Sequence, residues 1–551
     1  MTGAAIRRAS AVLAVAFMTG APAALLATAG PGLAQATAAQ GPGVQVQSIS
    51  GFAQAVAEAA ADDPALAAFY AGRAYAPIWT SGADAARRQA LISALASAPA
   101  QGLPDFGAAA LAARFAEIRT ERERGLLEVA VSRSWLAYAQ AVSNGVLAEP
   151  KKIDPGLVRE VVRRDGLELL TGFAGAENPS AYLQALAPQS PAYAMLLKAR
   201  LDISRQIAAG GWGPQVGAKR LAPGDTGAAV VALRDRLQAM GYLGRSATAS
   251  YDGEMQKAVQ NFQFAMGFKA DGVAGEATLR EINRAPEERL KSILVALERL
   301  RWMNGLELGS RHVWVNIPDF TVRIFDDGKL TFESVTVVGM NQSDRRTPEF
   351  SDVMEMMVIN PSWSVPRSIT VKEYLPMMQR NANAAGHIQL VDSRGRAVPR
   401  SAVNFAAYNA KNFPFAMRQP PSGGNALGLV KFLFPNPHNI YLHDTPSKSL
   451  FEKDVRAFSH GCVRVGRPFD LAYALLARQE ADPEGYFKSV LKTGAETTVR
   501  LAEPVPVHLV YFTAYPDARG HMEYRADVYG RDAALFGALQ KAGVELTAPV
   551  N

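Results

Sequence analysis

The 551-residue chain holds one cysteine, Cys462, with two histidines close to it in sequence. His443 lies nineteen positions before it, in Tyr441-Leu442-His443-Asp444-Thr445-Pro446. His460 lies two before it, in Phe458-Ser459-His460-Gly461-Cys462-Val463-Arg464-Val465. A free thiol, with a pKa of about 8.5, is mostly protonated at neutral pH, and an imidazole that accepts the proton leaves a reactive thiolate. Gly461 lets the backbone turn sharply, so that the N–H groups of Gly461 and Cys462 could approach a reacting carbonyl and stabilise an oxyanion. The chemistry these residues suit is acyl transfer through a thioester. Two plainer readings compete: a lone cysteine can be a small buried hydrophobe, and His443, His460 and Cys462 could hold a metal. Flanking histidines in a polar, glycine-containing loop argue against the first. Structural zinc's preference for four closely paired ligands argues against the second. No metal and no cofactor is expected.

Such residues need a frame. His312-Val313-Trp314-Val315-Asn316-Ile317 alternates. Thr321 to Phe325, Asp326-Asp327-Gly328-Lys329 and Leu330 to Val338 read as a β-hairpin, and further strands are expected over 353–359 and 439–443. Residues 311–504 thus form a mostly-β domain that carries the candidate site. Residues 367–419 interrupt it with a helix-like stretch over 371–380, a turn at Asp392-Ser393-Arg394-Gly395 and Pro/Asn-rich connections. An insertion of this length inside a β-domain is usually functional or disordered. The tail, 505–551, has strand-like stretches over 507–513 and 524–528 and reads as completing the edge of the β-domain.

The preceding chain is helical. Residues 45–210 are alanine-rich, with apolar residues three and four apart, and Tyr70 and Trp79 read as core aromatics. Residues 218–284 form a compact three-helix unit: Val230, Leu233 and Leu237 share one helix face, and Val259, Phe262 and Met266 another. Residues 285–310 add a connecting helix with a stripe of Leu290, Ile293, Leu294, Leu297 and Leu300. The fold class is multidomain α+β, in keeping with a length too great for one core. A hydrophobic fraction of 48%, without a run of eighteen apolar residues in the body of the chain, excludes a multi-span membrane protein. One cysteine excludes an intrachain disulfide. Arg7-Arg8, the apolar stretch from Ala11 to Phe17 and Leu33-Ala34-Gln35-Ala36 read as a secretory signal over residues 1–36, with an uncleaved membrane anchor as the alternative. Losing those two arginines takes the net charge from +7 to +5, which suits an anionic polymer but is equally ordinary for a soluble protein.

His443, a fifteen-residue gap, then Ser459-His460-Gly461-Cys462 and Arg464 resembles the active-site signature of the L,D-transpeptidases of bacterial cell-wall synthesis. Asn425-Ala426-Leu427-Gly428, Lys431-Phe432 and Phe434-Pro435-Asn436 resemble its large periplasmic branch. The 45–210 region is similar to that branch's helical scaffold, and 218–284 to a type 1 peptidoglycan-binding domain, with a simple helical spacer as the alternative. The resemblance implies that Cys462 is the nucleophile and His443 the general base, with His460 positioning the loop or acting as the alternative base. Arg464 would bind a substrate carboxylate or stabilise the loop. Tyr441, Ser459, Trp363 and Arg418 are further candidates for the substrate pocket, and 367–419 would cap the site. The implied reaction releases the terminal D-alanine of a tetrapeptide stem and forms a 3→3 cross-link in the periplasm, through a thiolate that carbapenems acylate. The implied partners are peptidoglycan stems as donor and acceptor, with other wall-synthesis enzymes possible and no nucleic acid. Water as acceptor would make an L,D-carboxypeptidase, and a protein lysine a wall-anchoring enzyme. A wall cysteine endopeptidase and a non-catalytic wall-binding protein stay open. Pro420-Pro421-Ser422-Gly423-Gly424 departs from the Pro-Gly turn expected there, which bears on the cap hinge.

Overall fold

A computed structural model describes residues 50–546; the signal reading falls outside them. Eight α-helices, from Gly51–Ala60 to Pro191–Ala208, form the first helical region. Its longest helix, Glu121–Asn144, starts on a reciprocal cap between Thr120 and Glu123. Mid-helix, the fully buried Glu128 accepts the backbone N–H groups of Ile78 (2.6 Å), Trp79 (3.2 Å) and Thr80 (3.1 Å) and the Tyr70 hydroxyl (3.0 Å). Tyr70 and Trp79 are core residues here, without solvent exposure.

Helices Ala228–Ala239, Gly253–Ala265 and Glu276–Ile282 form the small unit, and all six apolar positions read from its sequence are buried. The connecting helix Pro286–Trp302 buries Leu290, Ile293, Leu294 and Leu297 and packs on Pro191–Ala208 and on the C-terminal helix Arg531–Lys541. One hydrophobic core joins these helices to the three-helix unit. Among the described residues no helix is long and apolar enough to cross a membrane.

The β-domain contains β1 (Arg311–Asn316), β2 (Thr321–Asp326), β3 (Lys329–Gly339), β4 (Phe350–Ile359), β5 (Trp363–Ser364), β6 (Gln389–Val391), β7 (Ala397–Val398), β8 (Ala416–Gln419), β9 (Val430–Leu433), β10 (Leu442–His443), β11 (Ala457–Ser459), β12 (Val463–Val465) and β13 (Thr497–Val510). The main sheet runs β11-β3-β12-β10-β9-β4-β13-β1-β2, and β2 pairs back onto β3, closing the ring. The β2–β3 hairpin turns through Asp327 (φ 48°) and Gly328 (φ 75°), both in the left-handed region that a tight hairpin requires. Its interior is filled by Val313, Val315, Ile324, Met357, Phe432, Leu442 and Val463, among others.

Two sequence expectations change here. β13 runs past Pro504 and lies between β4 and β1, so the tail supplies an inner strand rather than an edge. The ladder shifts register between Arg500 and Val505, beside Pro504, which has no N–H to give. The expected strand over 439–443 shrinks to Leu442–His443, because Asn439 is left-handed (φ 54°) and the Asn436 side chain organises a turn before it.

Between β4 and β9 the chain forms a second sheet, β5-β8-β6-β7, and a continuous helical stretch over 367–380 with a π turn at Thr370–Tyr374. This segment has its own core, including Trp363, Leu375, Met378, Leu390, Phe405 and Met417, and Tyr441 of the main domain packs against it. After β13, β14 (Ala514–Pro516) pairs with β15 (Met522–Tyr524).

Candidate active site

Strand alternation assembles the site. β10 and β12 are parallel neighbours, with Leu442 opposite Val463 and His443 opposite Arg464. Leu442, Val463 and Val465 point into the core, so Tyr441, His443, Cys462 and Arg464 project together from the other face. His443 lies opposite Arg464, two positions from Cys462, so imidazole and thiol are diagonal neighbours across β10 and β12. β9 extends the row: Lys431 pairs with His443, so three basic residues, Lys431, His443 and Arg464, stand side by side.

His443 is buried, and its Nδ1 lies 2.5 Å from the backbone oxygen of Asp444. A carbonyl only accepts, so Nδ1 carries the proton and Nε2 is left as the basic nitrogen. Burial, with Arg464 adding repulsion, lowers the imidazole to about 3. The Asp444 carboxylate turns elsewhere, accepting the N–H groups of Leu429 (2.9 Å) and Thr445 (2.7 Å) and the Lys448 ammonium (2.5 Å). It is thus the Asp444 carbonyl that orients His443. Gly428 (φ 62°) makes room for this carboxylate: a Cβ there would stand 2.3 Å from its Oδ2.

Cys462 is partly covered, and its Sγ lies 3.4 Å from the Asn439 carbonyl oxygen. Burial pushes the thiol up to about 11, opposed by the neighbouring Tyr441 and by the charge of Arg464. Trp363 belongs to the apolar cluster against which Tyr441 packs. Both shifts favour the neutral thiol and the neutral imidazole. Arg464 forms no ion pair among the described residues, and its buried Nε has no hydrogen-bond partner. Burial lowers its pKa, opposed by Cys462.

The remaining candidates are placed differently. Ser459 is buried and staples the loop: its hydroxyl donates to the Cys462 carbonyl (2.5 Å) and accepts the Gly461 N–H (3.1 Å). That contact occupies the Gly461 N–H, one of the two expected oxyanion donors. The Cys462 N–H donates to no acceptor among the described residues. His460 turns from the sulfur toward the inserted segment, with Nε2 2.6 Å from Glu373, which also pairs with Arg345 at 2.7 Å. Arg418 is tied to Ser362 (3.0 Å) and Glu496 (3.3 Å), half-exposed, linking the inserted sheet to the body of the domain. Asp444, expected to orient His443, does so through its carbonyl rather than its carboxylate. Asn439 and Glu373 escaped the sequence reading. Asn439 alone left a trace, as an asparagine beside an Asn/Pro-rich turn, a residue type that tolerates left-handed backbone. Among the described residues no group of three or more His, Cys, Asp or Glu is placed to hold a metal.

A thiol and an imidazole thus share one face of a closed mixed sheet, and the inserted segment touches the residues around them through Tyr441 and His460. Residues 310–497 match the family model described as the L,D-transpeptidase catalytic domain. Residues 64–199 match the scaffold domain, and 226–282 the "Putative peptidoglycan binding domain". The chain thus matches, in separate segments, an L,D-transpeptidase catalytic domain, a scaffold domain and a peptidoglycan-binding domain. A Haemophilus influenzae protein named "Putative L,D-transpeptidase" is 34% identical over 240 residues, which cover 43% of this chain and 47% of that relative; the match spans about half the relative's length. Among solved structures, an L,D-transpeptidase from Xylanimonas cellulosilytica is 16% identical, with 54% of this chain and 98% of that one covered, at a TM-score of 0.17. One from Stackebrandtia nassauensis is 15% identical, with 54% and 96% covered, at 0.20. At these TM-scores the two likenesses carry no weight for the fold or the site.

Proposed function

We propose that the protein is a peptidoglycan L,D-transpeptidase that forms 3→3 cross-links through a Cys462 acyl-enzyme. The observation that carries the reading is the shared face of β10 and β12, with Cys462 beside a buried His443 whose Nδ1 is fixed on the Asp444 carbonyl. The thiol proton passes to His443 Nε2 as sulfur attacks the carbonyl of the third stem residue. The Cys462 N–H faces the developing oxyanion. Collapse of the tetrahedral adduct expels D-alanine, whose amine takes the proton from His443, and leaves a thioester. The side-chain amine of a neighbouring stem's diamino acid then attacks, gives its proton to His443, and releases the sulfur as a thiol.

A resting neutral pair suits this sequence, because the thiolate forms only as a substrate seats against it. Lys431 and Arg464, flanking His443, would hold a stem carboxylate, and the lack of an acidic partner for Arg464 supports that role. The inserted segment would exclude water, which competes with the acceptor amine. The matched peptidoglycan-binding domain supports peptidoglycan as the partner. The family to which the catalytic domain is matched supports a periplasmic site, and acylation of Cys462 by carbapenems is expected on this reading. The test is muropeptide chromatography of disaccharide-tetrapeptide treated with the wild type. A cross-linked dimer is expected; tripeptide without dimer would make the protein an L,D-carboxypeptidase.

A further inference from the structure

The loop after β3 clasps the nucleophile loop. Thr347, completely buried, donates its hydroxyl to the Gly461 carbonyl at 2.7 Å and accepts the Gly339 N–H at 2.9 Å. Met340 N–H donates to the Ser459 carbonyl at 2.9 Å. Gly339 permits this approach: a Cβ there would sit 2.0 Å from the Arg345 carbonyl oxygen.

The Gly461 carbonyl and the Cys462 N–H belong to one planar trans peptide and point in opposite directions. A hydrogen bond that fixes the first therefore fixes the second. Since Ser459 takes the Gly461 N–H, the Cys462 N–H is the loop donor left for an oxyanion, and its direction depends on the Thr347 hydroxyl. Gly461, at φ 119°, has backbone freedom that the contact restrains.

Thr347 is in turn set by the C-terminal segment. The Tyr529 hydroxyl donates to the Gly339 carbonyl at 2.5 Å and accepts the Thr347 N–H at 3.3 Å. Arg531, without solvent exposure, donates to the Thr347 carbonyl at 3.0 Å and pairs with Glu349 at 3.4 Å and Asp154 at 3.6 Å. Glu349 N–H donates to the Gly156 carbonyl at 2.8 Å, bringing in the segment that follows the first helices. A side chain at Gly156 would collide with Arg531, its Cβ 2.0 Å from Nη2. Three distant stretches, 154–156, 347–349 and 529–531, thus meet one peptide away from the nucleophile.

We infer that Thr347 is a positioning residue that aims the Cys462 N–H at the oxyanion, and that Tyr529 and Arg531 of the C-terminal segment hold Thr347 in place. The inference rests on the acyl-transfer reading of Cys462. It predicts a split between two reactions of the same sulfur. Acylation by an activated nitrophenyl ester develops an oxyanion; alkylation by iodoacetamide does not.

Thr347→Val keeps the shape and removes the hydroxyl. Its acylation rate should fall about 30-fold, in the range of a displaced oxyanion donor, while alkylation stays within about twofold. Thr347→Ser should restore acylation to within about threefold of wild type. Tyr529→Phe, which keeps the ring, should show the same split at about 5- to 10-fold. With stem substrate the loss should fall on kcat and leave KM unchanged. Equal falls in both reactions, or in neither, would overturn the inference. If Thr347→Val does not fold, Tyr529→Phe decides by the same criterion. Wild type that is acylated by the ester but inert toward stems would sink the proposed function and leave the positioning test standing.

Discussion

Measuring how fast iodoacetamide alkylates Cys462 from pH 5 to pH 10 tests the resting state of the site. Burial sets the thiol at about 11 and His443 at about 3, so the pair is neutral throughout that range. At pH 7 an acid of pKa about 11 is ionised to about one part in 10⁴, against about one in 30 for a free thiol of pKa about 8.5. The ratio is about 300-fold. Because the sulfur keeps some solvent access, the expected slowing relative to a small-molecule thiol is between about 30- and 300-fold. The rate should climb about tenfold per pH unit through pH 10, with no plateau below pH 8. His443→Gln should leave this alkaline limb in place, since in the resting enzyme His443 does not hold the proton. A plateau between pH 5 and 8, abolished by His443→Gln, would mean a thiolate–imidazolium pair and would refute the reasoning.

Gly428→Ala forces a left-handed alanine and a Cβ at 2.3 Å from the Asp444 carboxylate; a loss of about 2–4 kcal/mol in urea unfolding is expected, with reduced turnover as the Asp444 carbonyl shifts under His443. His443 and His508 sit at about 3 and about 4 in the folded protein, both lowered chiefly by burial. As pH falls below about 6.5 the unfolded chain takes up these protons first, so stability is complete above that pH and lost down toward pH 3. Melting temperature against pH should show the loss, and His508→Gln should make it shallower. His443→Gln should lower turnover by at least about 10³-fold, whereas His460→Gln should lower it by less than about tenfold. Limited proteolysis should instead reveal His460→Gln and Glu373→Gln by faster cleavage within 381–415, because each breaks the contact that ties the inserted segment to the nucleophile loop.

Much of the site is legible because strand alternation is local. The sequence marks a strand ending at His443, and once the loop around Cys462 leads into β12 beside it, period two puts His443 and Arg464 on one face with Tyr441 and Cys462 at its near end. The helical regions were readable for a similar reason: Val230, Leu233 and Leu237 announce a buried face within two turns. What the sequence concealed depends on contacts between distant positions. His460 reads as a residue that positions the loop, but its partner Glu373, 87 residues away, gives no sign in the sequence. Arg418 looks like a pocket cation until Glu496, 78 residues away, is found beside it. Thr347 reaches Gly461 across 114 residues, and no periodicity signals a lone buried hydroxyl. The strand-like stretch over 507–513 is legible, but not that it continues across Pro504 into β13 between β4 and β1, because that depends on pairing with strands distant in sequence and on a register shift between Arg500 and Val505.

The central claim is that Cys462 forms a thioester with a stem peptide and passes it to an amine. Intact-mass analysis of wild type and Cys462→Ala, each incubated with disaccharide-tetrapeptide while the muropeptides are separated by chromatography, tests it most directly. The account predicts an acyl adduct lacking D-alanine and a cross-linked dimer from wild type, and neither from Cys462→Ala. Folded wild type that forms no adduct and leaves the tetrapeptide unchanged, or a Cys462→Ala variant that still makes dimer, would contradict it.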